Sequence, residues 1–261
     1  MKRHPAFLSL LAFATAANLQ ANLIVNPSFE SGNVNFSSDY VYKSPGIPPD
    51  MDAGQYGVIQ SLDQAHSAWA DAGSLSAQSG TNYFVATGAT STEESPWYQT
   101  ITPNPGGVTV TTDTNAPVYY RFQAYIASVY PGGAQPELAF EMSLNNSGAW
   151  QQLTTSIAPS PEQYDTWLLT YRDGYFLSAP TSISFRLRNT VTEGFGNDFA
   201  IDSLYFGLST NAPAYDPVET PIDSIGAITG GVVPEPGTWA AAALLVGGTS
   251  FLRWRKRANH Q

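Results

Sequence analysis

The chain contains no cysteine, three histidines, three methionines and only eleven basic residues against twenty-one acidic ones. Without thiols there is no disulfide framework, no thiolate zinc site and no cysteine nucleophile. His4 and His260 stand at the extreme ends, which leaves His66 as the one imidazole in the body. A Ser–His–Asp triad would have to be built on that residue, and no Gly-x-Ser-x-Gly accompanies it. Set between Ala65 and Ser67, His66 reads as a surface loop residue. Phosphate-binding glycine loops, zinc-ligand spacings and redox motifs are missing too.

Positive charge is scarce where it matters most. Lys2 and Arg3 open the chain and Arg253, Arg255, Lys256 and Arg257 close it, so five basic residues in the body face all twenty-one acidic ones, a charge of −16. Such a body repels phosphate backbones, which excludes DNA and RNA as partners. Charged residues make up 12% of the chain, about half of the ~25% usual for soluble domains. Surface polarity must therefore come from Ser, Thr, Asn, Gln and Gly. Apolar residues, by contrast, are plentiful at 43% of 261 positions. That suffices for one all-β domain with a sizeable core and a processing segment at each end.

Residues 1–21 have the three parts of a secretory signal peptide. Lys2 and Arg3 are the basic start, Ala6–Ala17 is the apolar stretch, and Ala21 supplies the small residue at the cleavage position before Asn22. Ala14-Thr15-Ala16 is a competing cleavage site. Twelve apolar residues are too few to span a bilayer, and the alternative is a buried N-terminal helix. The other end reads Val233-Pro234-Glu235-Pro236-Gly237, then the apolar run Trp239–Leu252, then the basic Arg253, Arg255, Lys256 and Arg257. A helix over that run rises only ~21 Å against a hydrocarbon core of ~30 Å, so it suits a temporary hold better than a permanent one. The basic cluster is a positive clamp for the cytoplasmic side.

This order of proline motif, apolar helix and arginine-rich tail resembles the PEP-CTERM sorting signal over Val233–Arg257. The resemblance implies export through the Sec pathway in a Gram-negative-type bacterium that exports polysaccharide. It further implies transient anchoring in the inner membrane and processing by a membrane exosortase, with the body released or transferred to the cell surface or matrix. An ordinary C-terminal tail anchor is the alternative, although it has no need of Pro-Glu-Pro outside the membrane.

Between these ends the pattern has a period of two, which predicts half-buried antiparallel strands. Val118, Tyr120, Phe122, Ala124 and Ile126 share one face, and Tyr119, Arg121, Gln123 and Tyr125 the other. Leu138, Phe140, Met142 and Leu144 are expected inward, with Ala139, Glu141 and Ser143 outward. Ile183, Phe185 and Leu187 alternate in the same way with Ser184, Arg186 and Arg188. Turn signals at 104–107, 131–133, 145–148, 173–174 and 194–196 separate the runs, and no segment shows sustained helical spacing. The expected organisation is a signal peptide at 1–21, an all-β antiparallel jelly-roll sandwich at 22–208, and an extended linker at 209–232. The sorting signal at 233–257 follows, with its transmembrane helix at about 238–253 and its basic tail at 253–257.

Two stretches narrow the fold. Asn22-Leu23-Ile24-Val25-Asn26-Pro27-Ser28-Phe29-Glu30-Ser31-Gly32 resembles the opening strand of galactose-binding-like jelly rolls, common among carbohydrate-binding modules. Gly196-Asn197-Asp198-Phe199-Ala200-Ile201-Asp202-Ser203-Leu204-Tyr205 resembles their last strand. In such folds these segments lie together and hold a structural Ca²⁺. Carried over, that makes Glu30 and Asp202 candidate ligands, with Asn26 or Ser28 in support and the 194–198 loop as a further source of oxygen. The alternative is that both carboxylates accept backbone amides.

Aromatics supply the other candidates, because the C–H faces of sugar rings pack on aromatic planes. Trp69, Trp97, Trp150 and Trp167 are the candidate ligand contacts, along with Tyr98, Tyr171 and Tyr175, weighed against core packing. Glu93-Glu94 is the most visible acidic pair, but neighbours on an extended strand point to opposite faces, which disfavours an acid–nucleophile couple. The expectation is therefore a non-enzymatic, exported protein that binds or structures extracellular polysaccharide. A glycan-active hydrolase and a structural or adhesion protein are the alternatives.

Overall fold

The computed structural model describes residues 22–46, 50–72, 74–88, 91–103, 117–154, 164–192 and 196–209. The signal segment, the sorting motif Val233–Gly237, the apolar run, the basic tail and all but the first residue of the linker lie outside them. Among the described residues no helix is long and apolar enough to cross a membrane.

Among the described residues ten strands form two sheets. In chain order they are β1 (Val41–Tyr42), β2 (Gln55–Ile59), β3 (Tyr83–Ala86), β4 (Trp97–Ile101), β5 (Val118–Ser128), β6 (Leu138–Leu144), β7 (Gln151–Gln152), β8 (Leu168–Phe176), β9 (Ile183–Asn189) and β10 (Phe199–Ser209). One sheet has the order β1-β2-β3-β10-β5-β8 and the other β4-β9-β6-β7. From β3 onward the chain passes back and forth between the sheets, as a jelly roll does, so neither sheet forms without the other.

The period-two runs explain which face each strand buries. On β5 the residues at 118, 120, 122, 124 and 126 are buried and those between them are half-buried. β9 and β8 repeat that alternation. The inward faces meet in one core in which Phe122 packs against Phe140 and Phe185, and Phe185 against Phe206, at centroid separations of 4.8–6.0 Å. β6 departs from the expected alternation. Ala139 and Ser143 are buried as well and Leu144 is only half-buried, because part of this strand is covered on both sides. The pairing is antiparallel except at β1, whose two residues run parallel to β2. That correction involves too few residues to leave a sequence signature.

The outer face of the six-stranded sheet is divided. Over β2, β3, the start of β10 and the end of β5, residues 61–72 and 74–77, with Met51, lie down as a roof. It carries a one-turn 3-10 helix at Leu62–Gln64 and the short helix α1 (Ser67–Ala72). Ile59, Leu62, Trp69, Leu75, Tyr83, Val85 and Val129 form a second apolar cluster beneath it. The roof is pinned by the Tyr83 hydroxyl donating to the Leu75 carbonyl at 2.9 Å and the Trp167 indole N–H donating to the Ser76 carbonyl at 2.8 Å. The other half of that face, over β5, β8 and the end of β10, lies opposite the core residues of those strands and outside the roof's apolar cluster.

Candidate functional site

That second half is the candidate site. Outward positions on three adjacent strands fall into register as rows. Ser209, Tyr119 and Tyr175 form one, Gly207, Arg121 and Asp173 the next, then Tyr205, Gln123 and Tyr171, and finally Tyr125 beside Leu169. Five tyrosines thus share one surface, each half-buried. From Tyr119 to Tyr125 the face extends ~20 Å along the strand, and three strands make it ~10 Å wide. Tyr119 and Tyr175 touch at a centroid separation of 6.1 Å. At Gly207 an added Cβ would strike the ring of Tyr205, so glycine is what allows that ring to lie along the sheet.

The polar centre of the face is an ion pair. Arg121 Nε donates to Asp173 Oδ1 at 2.7 Å and an Nη to Oδ2 at 2.6 Å, a bidentate fork across the β5–β8 ladder. Asp173 holds the Arg121 pKa above its ordinary value, and the phenols of Tyr205 and Tyr171 lie near enough to act in the same direction. Burial pushes the Tyr205 phenol up, partly offset by Arg121. The Tyr205 phenol therefore stays neutral near pH 7. Rings, a neutralised charge pair and the Gln123 amide together suit an uncharged, hydroxyl-rich chain.

The sequence candidates distribute as follows. Tyr171 and Tyr175 lie on this face, and Tyr98 on the opposite sheet, across from Arg186. Trp69 and Trp97 are each 1% exposed and offer no ring plane to a ligand, which corrects their candidacy. Both were drawn into apolar clusters because their strand or helix faces inward there. Trp167 is half-buried, T-shaped against Tyr83 at 5.9 Å, and belongs to the roof. Trp150 lies on the outer side of the four-stranded sheet under the Arg186 guanidinium at 4.3 Å, with Arg186 also paired to Glu141. Tyr119, Tyr125, Tyr205 and the Arg121–Asp173 pair went unselected. Alternation had already placed Tyr119, Arg121, Gln123 and Tyr125 together, but the strand partners that complete the surface are set by non-local pairing.

Glu30 and Asp202 converge on the 78–82 loop. Glu30 Oε1 accepts the Thr81 and Asn82 amides at 2.9 and 2.7 Å, and Oε2 accepts the Thr81 hydroxyl at 3.1 Å. Asp202 Oδ2 accepts the Gln78 and Ser79 amides at 2.8 and 3.0 Å, and Oδ1 the Ser203 amide at 2.6 Å. The carboxylates therefore do accept backbone amides. Burial, aided by the negative charge of Glu30, still pushes Asp202 up to about 6 against its amide donors. The Asn82 amide and the Thr81 donors lower Glu30, which is exposed. The two carboxylates are oxygen donors of the kind a hard cation takes, but no third carboxylate or histidine joins them among the described residues, so backbone or water oxygens would have to complete the six to eight ligands of Ca²⁺.

Asn26 is occupied otherwise. Its side-chain amide donates to the Gly32 and Val34 carbonyls and its oxygen accepts the Ser31 amide, bracing the opening loop. Of the 194–198 loop, Asp198 turns away from this pair. It accepts the Trp69 indole N–H at 3.0 Å and the Gly88 amide at 3.1 Å. His66 is no free loop residue either, since its ring is half-buried and stacked on Trp69 at 5.3 Å. Glu93 is exposed and Glu94 half-buried.

No family model matches the chain, and no curated protein matches it. Similar solved structures are the CBM22-1 xylan-binding domain of Xyn10C from Paenibacillus barcinonensis (TM-score 0.45, 15% identity, 76% of this chain and 99% of that one), and a xylan-binding domain from CBM 22 (TM-score 0.42, 12% identity, 74% and 99%). A Stig cyclase from Fischerella sp. TAU is similar to the same extent (TM-score 0.45, 14% identity, 73% and 98%). These similar structures therefore include xylan-binding domains and a cyclase.

Proposed function

We propose that this protein binds an extracellular polysaccharide on the tyrosine face of its six-stranded sheet, without catalysis. The observation that carries the reading is the gathering of Tyr119, Tyr125, Tyr171, Tyr175 and Tyr205 on one sheet surface around a self-neutralised Arg121–Asp173 pair. Sugar rings stack on tyrosine planes through their C–H faces, and their hydroxyls find donors and acceptors in the phenols, Gln123 and the ion pair. Asp173 is bound in a fork by Arg121, and Asp202, the register partner of Tyr125 at the roofed end of the face, is held by the Gln78, Ser79 and Ser203 amides. Neither carboxylate is thus left as the free acid or nucleophile that glycoside hydrolysis requires. That favours binding over hydrolysis.

The reading extends to the ends of the chain. Residues 1–21 direct export, Val233–Gly237 and the apolar run engage an exosortase at the inner membrane, and the sandwich is delivered to the cell surface or matrix. There it meets the polysaccharide it binds.

The test is a binding screen of the purified protein against a panel of neutral and acidic polysaccharides. Saturable binding is expected, falling about tenfold (~1.4 kcal/mol) for each of Tyr171→Ala, Tyr175→Ala and Tyr205→Ala. Trp150→Ala, on the opposite sheet, should leave affinity unchanged. Absence of binding from a folded protein, or binding indifferent to the tyrosines, would overturn the assignment. It would direct the search to protein partners.

A further inference from the structure

A second concave site lies away from the tyrosine face, where β3 ends, β5 ends and β10 begins. It is a pocket of about 90 Å³ lined by Met51, His66, Trp69, Thr87, Tyr130 and Asp198, among others. None of the five face tyrosines lines it. Asp198 is 8% exposed, and among the described residues two donors reach it, the Trp69 indole and the Gly88 amide, one on each oxygen. An ionised carboxylate accepts about four hydrogen bonds. Asp198 is therefore desolvated at the pocket wall with half of its accepting capacity unmet by these donors, a costly state for a charge. Burial raises its pKa against both donors, with some relief from His66. Neither lysine nor arginine is among the lining residues.

We infer that this pocket binds a small organic ammonium ion, its N–H groups donating to Asp198 and its alkyl part lying against Met51, His66 and Tyr130. Three properties select this class. The single carboxylate of the lining attracts a cation and repels anions. The Tyr130 ring attracts a cation through its π face. A metal ion such as Ca²⁺ needs six or more oxygen ligands, which a wall of rings and a thioether does not supply. Gly196 maintains the shape of the rim. Its φ is +84° and an added Cβ would overlap the Gly132 carbonyl, so the 131–133 and 196–198 segments meet there in backbone contact.

The test is a titration of the full chain with ethylammonium, with ethanol as its neutral match, following the Trp69 indole N–H resonance by nitrogen-15 NMR. That signal is assigned by its loss in Trp69→Phe. The expected result is a saturable shift in the millimolar range, as suits a ligand of three heavy atoms, with ethanol at least tenfold weaker. Asp198→Asn should weaken ethylammonium about tenfold. Ala68→Leu, which fills the pocket and keeps the carboxylate, should abolish the shift, so the test stands even if Asp198→Asn folds poorly. Equal response to ethanol would mean a merely apolar pocket. A response unchanged by either substitution would place binding elsewhere, and either result overturns the proposal. Polysaccharide binding on the tyrosine face is unaffected by every one of these outcomes.

Discussion

Asp202 shows how one side chain can serve two masters. It is fully buried at the bulge where β10 shifts register against β5, and Ser203 beside it takes a φ of +52°. Three amides favour its charged form, while burial and Glu30 oppose it and leave its pKa at about 6. A raised carboxylate pKa means that the folded state holds the proton more tightly than the unfolded chain. Without a cation, its contribution to stability is therefore fully present below its ordinary value of 3.8 and is lost as pH rises through about 6. Asp202→Asn should flatten the thermal-unfolding midpoint over that window. Bound calcium would reverse the trend by holding Asp202 ionised beside the already ionised Glu30, raising the midpoint at pH 7. EDTA should restore the calcium-free profile. A midpoint insensitive to calcium, with the acid-favoured slope retained, would show that the amides alone satisfy Glu30 and Asp202.

At the scale of elements, β5 is the strand on which the molecule turns. It carries the densest inward alternation of the core, and its outward residues are the middle row of the tyrosine face. β10 is its partner on one side and β8, the last strand of the sheet, on the other. Among the described residues no strand pairs with the other edge of β8, so what it gains from β5 decides whether its tyrosines stay in place. The Arg121–Asp173 fork is the strongest side-chain link between them, with Asp173 8% exposed and Arg121 25%. Removing one member leaves a partly buried charge unpaired. Asp173→Ala should therefore cost ~1–3 kcal/mol in denaturant unfolding, and Arg121→Ala a similar amount. The double variant should cost clearly less than their sum. Additive losses would show that the pair contributes nothing beyond its separate contacts.

For the whole molecule, the sandwich closes because its two sheets share one set of phenylalanines. Its charge balance follows from the same economy, since the few basic residues of the body are used in specific contacts. Arg121 meets Asp173, Arg186 meets Glu141 beneath Trp150, and Lys43 donates to the Asp50 carbonyl. The remaining acidic excess disfavours contact with nucleic acid. The proposed route to the cell surface or matrix makes its own prediction. Mass spectrometry of the protein from its secreting cell should find Asn22 first and a C-terminus near Val233–Gly237. Substituting Pro234, Glu235 and Pro236 together by alanine should leave the full C-terminal helix attached in the membrane fraction. Recovery of that variant with the normal processed terminus would show that the motif is not what the processing enzyme reads.

The strands were legible in the sequence because a period of two is a local property. Val118–Ala127 and Ile183–Arg188 declare their inner and outer faces without reference to any partner. Charge, likewise, could exclude nucleic acid without any coordinates. The opening and closing motifs singled out Glu30 and Asp202 together, and both accept hydrogen bonds from the 78–82 loop. Burial of individual aromatics was not legible in this way. Trp69 and Trp97 look no different in sequence from Trp150, yet the first two are enclosed and the last lies at a sheet surface, since enclosure depends on what covers a side chain from elsewhere in the chain. The roof over β2 and β3, the row that joins Tyr205, Gln123 and Tyr171, and the pocket at Asp198 all arise from segments distant in sequence. Local periodicity determined the faces, and only the tertiary pairing of β5 with β8 and β10 decided which face became a site.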